Sequence, residues 1–268
     1  MTKEQQNQAD IDALIEQCRN GNGEEQIDAM RALDEANARS AVPAILPLLA
    51  SEDEWVRDRA VIVLSHLGQD HLESVGPAIE KLLEDPSEFI RNEAAEAFCL
   101  LPYPAARPSL ERMLLHDPYW VARASAAMAL GELGDPRALG ALEQALDDEP
   151  DPIRSYVVYA IGQLGDARLL SMIQRQLERE THPVVRAELL AVALRWGDEP
   201  AFDKLLALLH SVQGEPVMLV EGTLQDLLER DTPAIVKARM NELPAKLRGP
   251  RPPSADTPGQ PAQEPDQE

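Results

Sequence analysis

The chain has 268 residues and a formal net charge of −22, and 44% of its residues are hydrophobic while only 4% are aromatic. Binding to nucleic acid needs Lys and Arg to displace counterions from phosphates, so a charge of this size opposes it, and it opposes anionic membranes as well. The most apolar run, AVPAILPLLA at 41–50, is too short to span a bilayer and holds two prolines. We therefore expect no nucleic acid partner and no membrane insertion.

The N-terminal region, residues 1–39, is predicted to be a degenerate capping repeat. Helices are expected over 10–19 and 24–37, separated by the turn GNG at 21–23. The opening segment MTKEQQNQAD lacks a basic stretch followed by an apolar run, so no signal peptide is expected. Cys18 and Cys99 have neither a CxxC partner nor zinc-type spacing. We expect free thiols and a cytoplasmic location.

Residues 40–210 are predicted to form five repeats. An Arg is followed eleven residues later by a Gly, or once by a Pro, at Arg57/Gly68, Arg91/Pro102, Arg123/Gly134, Arg154/Gly165 and Arg186/Gly197. The arginines are 34, 32, 31 and 32 residues apart, and a period of about 32 predicts a stack of helical units. In each unit a turn rich in Asp and Pro precedes one helix, a Gly in the left-handed conformation is expected to end it, and a second helix follows.

The C-terminal part is predicted to hold two capping helices over residues 211–248, which lack the Arg–Gly pair. Residues 249–268, GPRPPSADTPGQPAQEPDQE, hold six prolines and no large apolar residue. Such a segment cannot bury a core, so a disordered, Pro-rich acidic tail is expected. These elements together predict an all-α fold, a right-handed α-solenoid of about six helical hairpin repeats.

Two runs carry a resemblance to a known repeat class. VARASAAMALGELGDPRALGALEQAL at 121–146 and IRSYVVYAIGQLGDARLLSMI at 153–173 resemble HEAT-like repeats of the short class first seen in phycobilisome lyases. The resemblance covers about residues 25–210. The class includes bilin lyases and chaperones, scaffold and adaptor subunits, a metal-dependent hydroxylase and DNA glycosylases. It implies that the periodic residues form a structural ladder between units: Arg57, Arg91, Arg123, Arg154 and Arg186.

The hydroxylase-like and glycosylase-like members of this class leave no signature here. The hydroxylase-like members hold metals with His-Glu dipeptides, but none of the five histidines is followed by Glu. The acidic net charge of the chain argues against the DNA binding that a glycosylase requires. No phosphate-binding or hydrolase motif appears, and no Ser/His/Asp or Cys/His grouping can be argued. We expect no catalytic, metal or cofactor site.

Aligning the units on the arginine separates two helical stripes. Positions −1, +3, +7 and +10 are apolar and predict a core stripe, as in Val56, Ala60, Leu64 and Leu67. Positions −2, +2, +5 and +9 are expected to face away from the core and to line the concave surface. The candidate partner contacts lie on or beside this second stripe: Trp55, Arg59, Ile62, Phe89, Glu93, Glu96, Tyr119, Trp120, Met128, Glu132, Tyr156, Tyr159 and Glu188.

Exposed aromatic side chains are frequent anchors for a partner protein, and the carboxylates would make the same surface acidic. The sequence therefore predicts a non-catalytic scaffold or adaptor whose partner protein presents apolar anchors and basic residues. Two structural alternatives stay open. The rings could pack between neighbouring helices, and the carboxylates could simply form a solvent-exposed helix face without a partner. The alternative function is a bilin-lyase-like protein or cofactor-maturation chaperone that holds a prosthetic group in the groove.

Overall fold

The computed structural model describes residues 3–148, 151–166, 169–214, 216–230, 234–239 and 242–243, so the predicted tail 249–268 lies outside the described residues. Within these ranges the chain forms fifteen α-helices and no strand. The helices are α1 Lys3–Asn20, α2 Gly23–Glu35, α3 Val42–Ile45, α4 Glu54–Leu67, α5 Leu72–Leu82, α6 Glu88–Ala97, α7 Arg107–His116, α8 Trp120–Leu133, α9 Leu139–Ala145, α10 Asp151–Leu164, α11 Leu170–Arg179, α12 Pro183–Arg195, α13 Ala201–Ser211, α14 Pro216–Arg230 and α15 Ala234–Ala238.

The helices form two layers. Each even-numbered helix from α2 to α12 packs on the next even-numbered helix, and each odd-numbered helix from α1 to α13 packs on the even-numbered helix that follows it. The repeating unit is therefore a hairpin of one odd and one even helix, and the predicted all-α, right-handed solenoid is confirmed. The C-terminal helix α14 packs on α12 as the earlier even-numbered helices pack on one another, so it extends the layer as well as covering its end.

Polar side chains in the turns start the even-numbered helices, because the first backbone N–H groups of a helix lack a partner within it. Asn22 and Glu25 form a reciprocal capping box at α2, and Asp53 accepts from the N–H of Trp55 at α4. At α6 and α8 no side chain caps the helix, and Asp85 and Asp117 instead order the preceding turns by accepting from the N–H groups of Ser87 and Tyr119.

The predicted left-handed glycines occur at three of the four helix ends. Gly134, Gly165 and Gly197 have φ of 65°, 66° and 90°. The prediction is wrong for Gly68, whose φ is −84°. There the chain continues from α4 directly into a 3-10 turn without reversing. A Cβ at Gly68 would lie 2.9 Å from a methyl carbon of Val75, so this glycine serves close packing instead.

The core runs continuously between the layers and is built from small aliphatic side chains. Val56, Ala60, Leu64 and Leu67 of the predicted core stripe are each at most 1% exposed. Small side chains allow the even-numbered helices to approach closely. At the crossing of α8 and α10, a Cβ built on Gly131 would lie 2.7 Å from the Cα of Ala160.

The five periodic arginines lie at the junctions between units. In the first four, Nε and Nη2 donate to the two oxygens of one carboxylate in the turn before the next even-numbered helix, at 2.7–3.1 Å. In all five, Nη1 donates to the carbonyl six residues earlier, at 2.7–3.1 Å. The side-chain pairs are Arg57–Asp85, Arg91–Asp117, Arg123–Asp148 and Arg154–Glu180.

Candidate functional site

The exposed large hydrophobic side chains of the described residues are confined to one layer. They lie on or directly after the even-numbered helices and none lies on an odd-numbered helix: Trp55, Phe89, Leu100, Trp120, Tyr156, Met218 and Leu219. We call the surface that carries Trp55, Phe89, Trp120, Tyr156 and Leu219 the even-helix face. Since folding buries such side chains where it can, their concentration on one layer marks this surface as a candidate interaction site.

The first recess on this face lies between α4 and α6 and has a volume of about 320 Å³. We call it the aromatic–acidic cleft. Its lining residues are Glu54, Trp55, Asp58, Phe89, Ile90, Asn92 and Glu93. The two rings are the most exposed aromatic side chains in the described part of the chain, at 73% for Trp55 and 60% for Phe89. Each ring belongs to the second residue of its helix.

Crowded carboxylates give the cleft a distinctive electrostatic character. Burial raises the pKa of Glu93 to about 7, and the charges of Glu96 and Asp58 add to the shift while Arg59 opposes it. Burial also raises the pKa of Asp58, with Arg59 lowering it and Glu54 raising it. These carboxylates thus sit partly desolvated beside one another, and the guanidinium of Arg59 is the nearby cation.

The second recess lies further along the face and has a volume of about 440 Å³. We call it the tyrosine groove. Four even-numbered helices and a turn contribute to its lining, which comprises Met128, Pro152, Ser155, Tyr156, Tyr159, His182, Val184, Glu188 and Leu219. The lining is mostly apolar, so this groove suits an apolar anchor better than a charged one.

Glu188 is the carboxylate of the tyrosine groove. Burial raises its pKa to about 7, and a hydrogen bond with Ser155 opposes the shift. One carboxylate oxygen, Oε2, is buried without a hydrogen-bond partner. The sequence placed Glu188 among the carboxylates that make the face acidic. In the structure it is half-buried, and its raised pKa leaves it partly protonated near neutral pH.

Polar contacts tie neighbouring even-numbered helices together across the face. The hydroxyl of Tyr159 donates to Glu132 on the preceding even-numbered helix. The hydroxyl of Ser125 donates to Asn92 at 2.8 Å, and the Asn92 amide donates to Glu96 at 3.0 Å. Glu132 and Glu96 are thus exposed but already engaged, and Tyr159 is half-buried where the sequence favoured exposure.

The stripe at positions −2, +2, +5 and +9 contains exposed, half-buried and buried side chains. Arg59, Ile62 and Met128 are half-buried, and Tyr119 is half-buried with its ring edge-on to Phe89 at 6.1 Å between centroids. Two further members of the stripe, Ser125 and Ala191, are buried, so the prediction that they face away from the core is wrong. The neighbouring even-numbered helices pack closely enough to cover both.

Comparison with known proteins agrees with this architecture. The family model for HEAT repeats matches residues 11–99 and 75–155, which together are more than half of the chain. The chain belongs to the HEAT-repeat family. The predicted resemblance to HEAT-like repeats is thereby confirmed. No curated protein sequence matches this HEAT-repeat protein significantly.

Solved structures share its fold at low sequence identity. The complex of CpcE and CpcF of phycocyanin lyase from Nostoc sp. PCC7120 is 22% identical, with a TM-score of 0.55 over 69% of this chain and 76% of that one. YibA from E. coli is 17% identical, with a TM-score of 0.56 over 91% of this chain and 97% of that one. An engineered protein is 18% identical, with a TM-score of 0.53 over 70% of this chain and 97% of that one.

Nine lining residues of the two recesses were not among the sequence candidates, and four of them are Ile90, Asn92, Pro152 and Val184. Glu54 and Asp58 lie three residues before and one after the periodic Arg of the first full unit, outside the stripe that the alignment selected. Ser155 likewise follows its Arg by one position, and His182 belongs to the turn before α12. Leu219 lies in α14, which has no periodic Arg to align it. Asp58 and Ser155 each directly follow the periodic Arg of their unit, and this shared position is the sequence signal that could have identified them.

Clusters of metal ligands and membrane-spanning helices are both absent from the part of this HEAT-repeat protein that the structure describes. No group of three or more His, Cys, Asp or Glu side chains is arranged to hold a metal ion there. No helix among the same residues combines the length and the apolar character that crossing a membrane requires.

Proposed function

We propose that this HEAT-repeat protein is a non-catalytic scaffold that binds a partner protein on its even-helix face. The observation that carries the proposal is the one-sided distribution of exposed large hydrophobics in the described residues, from Trp55 on α4 to Leu219 on α14. Binding surfaces concentrate their energy in a few aromatic anchors that lie in or beside recesses. Trp55 and Phe89 flank one recess and Tyr156 flanks the other, so an extended segment of a partner would find an anchor point at each.

The cysteines are consistent with a cytoplasmic setting for this scaffold, which we include in the proposal. Both Cys18 and Cys99 are free thiols. Burial raises the pKa of Cys18 to about 11 and that of Cys99 to about 12, so neither is activated as a thiolate.

A capture experiment with face-specific variants tests the proposal. The bait carries Trp120→Ser and Tyr156→Ser, since both side chains are more than 40% exposed and neither is needed for the core. We expect the captured partner to fall at least tenfold with an unchanged unfolding midpoint. The matched control carries Glu73→Ser and Gln144→Ser, two exposed residues of odd-numbered helices, and should retain the partner. Equal retention by both baits would contradict the proposal.

The second candidate function is that of a bilin-lyase-like protein or cofactor-maturation chaperone. The observation that favours it is the tyrosine groove, whose volume of about 440 Å³ lies within the range of small-molecule sites. A protein of this kind should change the absorbance spectrum of an added bilin and transfer it to a cysteine of an acceptor protein. Tyr156→Ala should weaken that change. An unaltered bilin spectrum in the presence of the wild-type protein would exclude this candidate.

A further inference from the structure

We infer that the aromatic–acidic cleft binds an arginine side chain of the partner protein. The inference rests on the proposed function and adds the chemistry of one contact to it. Four observations support it: the two exposed rings, the three carboxylates between them, the charge of the whole chain and the size of the recess.

The rings supply one half of the recognition. Trp55 and Phe89 stand at the same recess on consecutive even-numbered helices, with 73% and 60% of their surface exposed. The face of an aromatic ring attracts a cation, and the planar guanidinium group of arginine stacks on such a face better than the ammonium of lysine does. The rings of Phe89 and Tyr119 meet in a T-shaped arrangement, and the exposed surface of Phe89 remains available to a ligand.

The carboxylates supply the other half. Glu54 and Asp58 are one turn apart on α4, an arrangement of like charges that destabilises a helix on its own, and Glu93 joins them from α6. The hydroxyl of Ser87 donates to Glu54 and fixes its position. The neighbouring ladder arginines, Arg57 and Arg91, are already paired with Asp85 and Asp117.

One cation of the chain itself approaches this cleft. The charge of Arg59 acts on both Asp58 and Glu93, and its Nε is buried without a hydrogen-bond partner. One guanidinium against three carboxylates leaves the cleft acidic, since Glu96 adds a further negative charge beside Glu93. An arginine from a partner would relieve this repulsion, and its planar fork of N–H groups would donate hydrogen bonds to these carboxylates.

Charge also selects among possible occupants. An anionic ligand would meet carboxylates on entry, and a second copy of this chain would bring a further formal charge of −22 to an already acidic surface. A basic segment of a different protein is the complementary occupant. The recess volume of about 320 Å³ accommodates one long side chain.

Binding of a cation is expected to depend on pH near neutrality. Glu93 has a pKa of about 7 in the free protein, because burial and the charges of Glu96 and Asp58 raise it while the charge of Arg59 lowers it. A guanidinium beside it favours the charged carboxylate, so binding releases a proton and affinity rises as the pH increases from about 6 to about 8.

Nuclear magnetic resonance of the tryptophan indole groups provides the test. The chain has three tryptophans, so three indole N–H signals can be assigned with single Trp→Phe variants. The probes are three short peptides with identical alanine- and leucine-containing flanks and a central arginine, lysine or citrulline. We expect the arginine peptide to shift the Trp55 signal saturably while the signal of Trp196 stays in place. The citrulline peptide, which keeps the shape of arginine without its charge, should bind at least tenfold more weakly. The affinity of the lysine peptide should lie between those of the other two.

Variants make the test specific to the cleft. Glu93→Gln should weaken the binding of the arginine peptide by roughly three- to tenfold, as expected for the loss of one partly buried charged contact. Glu73→Gln, an exposed carboxylate on α5, should leave its affinity unchanged. Equal binding of the citrulline or lysine peptide, or a Trp55 signal that never moves, would overturn the inference. If the cleft fails this test while Trp120→Ser with Tyr156→Ser still abolishes partner capture, the scaffold function stands without the arginine site.

Discussion

Arg91 and Asp117 are joined by two parallel hydrogen bonds, Nε to Oδ2 at 2.7 Å and Nη2 to Oδ1 at 2.9 Å. The same guanidinium donates to the carbonyl of Asp85, whose carboxylate accepts from Arg57 of the preceding unit. One arginine therefore connects two successive inter-repeat turns. This explains in physical terms why an Arg recurs about every 32 residues, since each new unit needs its own connection.

Asp117→Asn tests what this connection contributes to stability. The pair is mostly buried, with 13% and 6% of the two side chains exposed. The substitution leaves Arg91 with its charge but without a carboxylate, so we expect a loss of about 2 kcal/mol in the free energy of unfolding. Chemical denaturation followed by circular dichroism measures it. The control is Glu84→Gln at the exposed Arg112–Glu84 pair, which should change stability by less than about 0.5 kcal/mol. Equal effects of the two substitutions would contradict a special role for the ladder.

The ladder carboxylates should also control stability in acid. Burial alone would raise the pKa of Asp117 and of Glu180, but hydrogen bonds from Arg91 and Arg154 and from backbone N–H groups hold both below their ordinary values. Because the folded-state pKa values are depressed, the stabilisation is complete above the unfolded values of about 4 and is lost as the pH falls below them. Denaturation between pH 6 and pH 2 should show this loss. The loss should be smaller in Asp117→Asn, and an identical acid profile would contradict the assignment.

Glu188→Gln should stabilise the protein at high pH. The folded-state pKa of Glu188 is raised to about 7, so the wild-type protein loses stability as the pH rises from the unfolded value through that of the folded state. At pH 8 the variant avoids the buried charge and should gain about 2 kcal/mol, whereas at pH 5 the two proteins should differ by less than about 0.5 kcal/mol. Thermal unfolding at the two pH values measures the difference. Glu178→Gln, at an exposed site on α11, should show no such pH-dependent gain.

Gly131→Ala should separate α8 from α10. The new Cβ would lie 2.7 Å from the Cα of Ala160 and 3.0 Å from its Cβ, where only backbone movement can make room. We expect a loss of about 1–3 kcal/mol, the usual effect of overpacking. Gly140→Ala is the matched control because nothing lies within 4 Å of its added Cβ, so the higher helix propensity of Ala should leave stability equal or slightly increased. Similar losses in both variants would show that the close approach at Gly131 is unimportant.

The architecture could be predicted from sequence because it is periodic. Arg57 and its four counterparts recur in register with the helix ends, and the spacing of Val56, Ala60 and Leu64 identifies the buried side of the helix. A pattern repeated in every unit averages out local exceptions. Gly68 shows the limit of this reasoning, because a glycine retained for packing against Val75 looks the same in sequence as one retained for a positive φ.

The candidate interaction surface could be predicted only in part. Trp55, Phe89 and Tyr156 were found because an aromatic residue on an outward position stands out in an Ala-rich helix. Other residues that line the recesses, such as Asp58 and Leu219, were missed. Their place in a recess depends on how far neighbouring helices are offset from one another. The raised pKa values of Glu93 and Glu188 could not be predicted from the sequence either. They result from burial between helices that are far apart in the chain.

Site-specific photo-crosslinking in cells tests the central proposal most directly. A photoreactive phenylalanine analogue replaces Trp55, Trp120 or Tyr156 on the even-helix face, and in separate proteins it replaces Glu73 or Gln144 on odd-numbered helices. A scaffold that binds a partner through its even-helix face should give one shared protein adduct at the first three positions and none at the other two. The account would be contradicted by adducts distributed equally over both layers, or by adducts at the first three positions that consist only of a second copy of the chain.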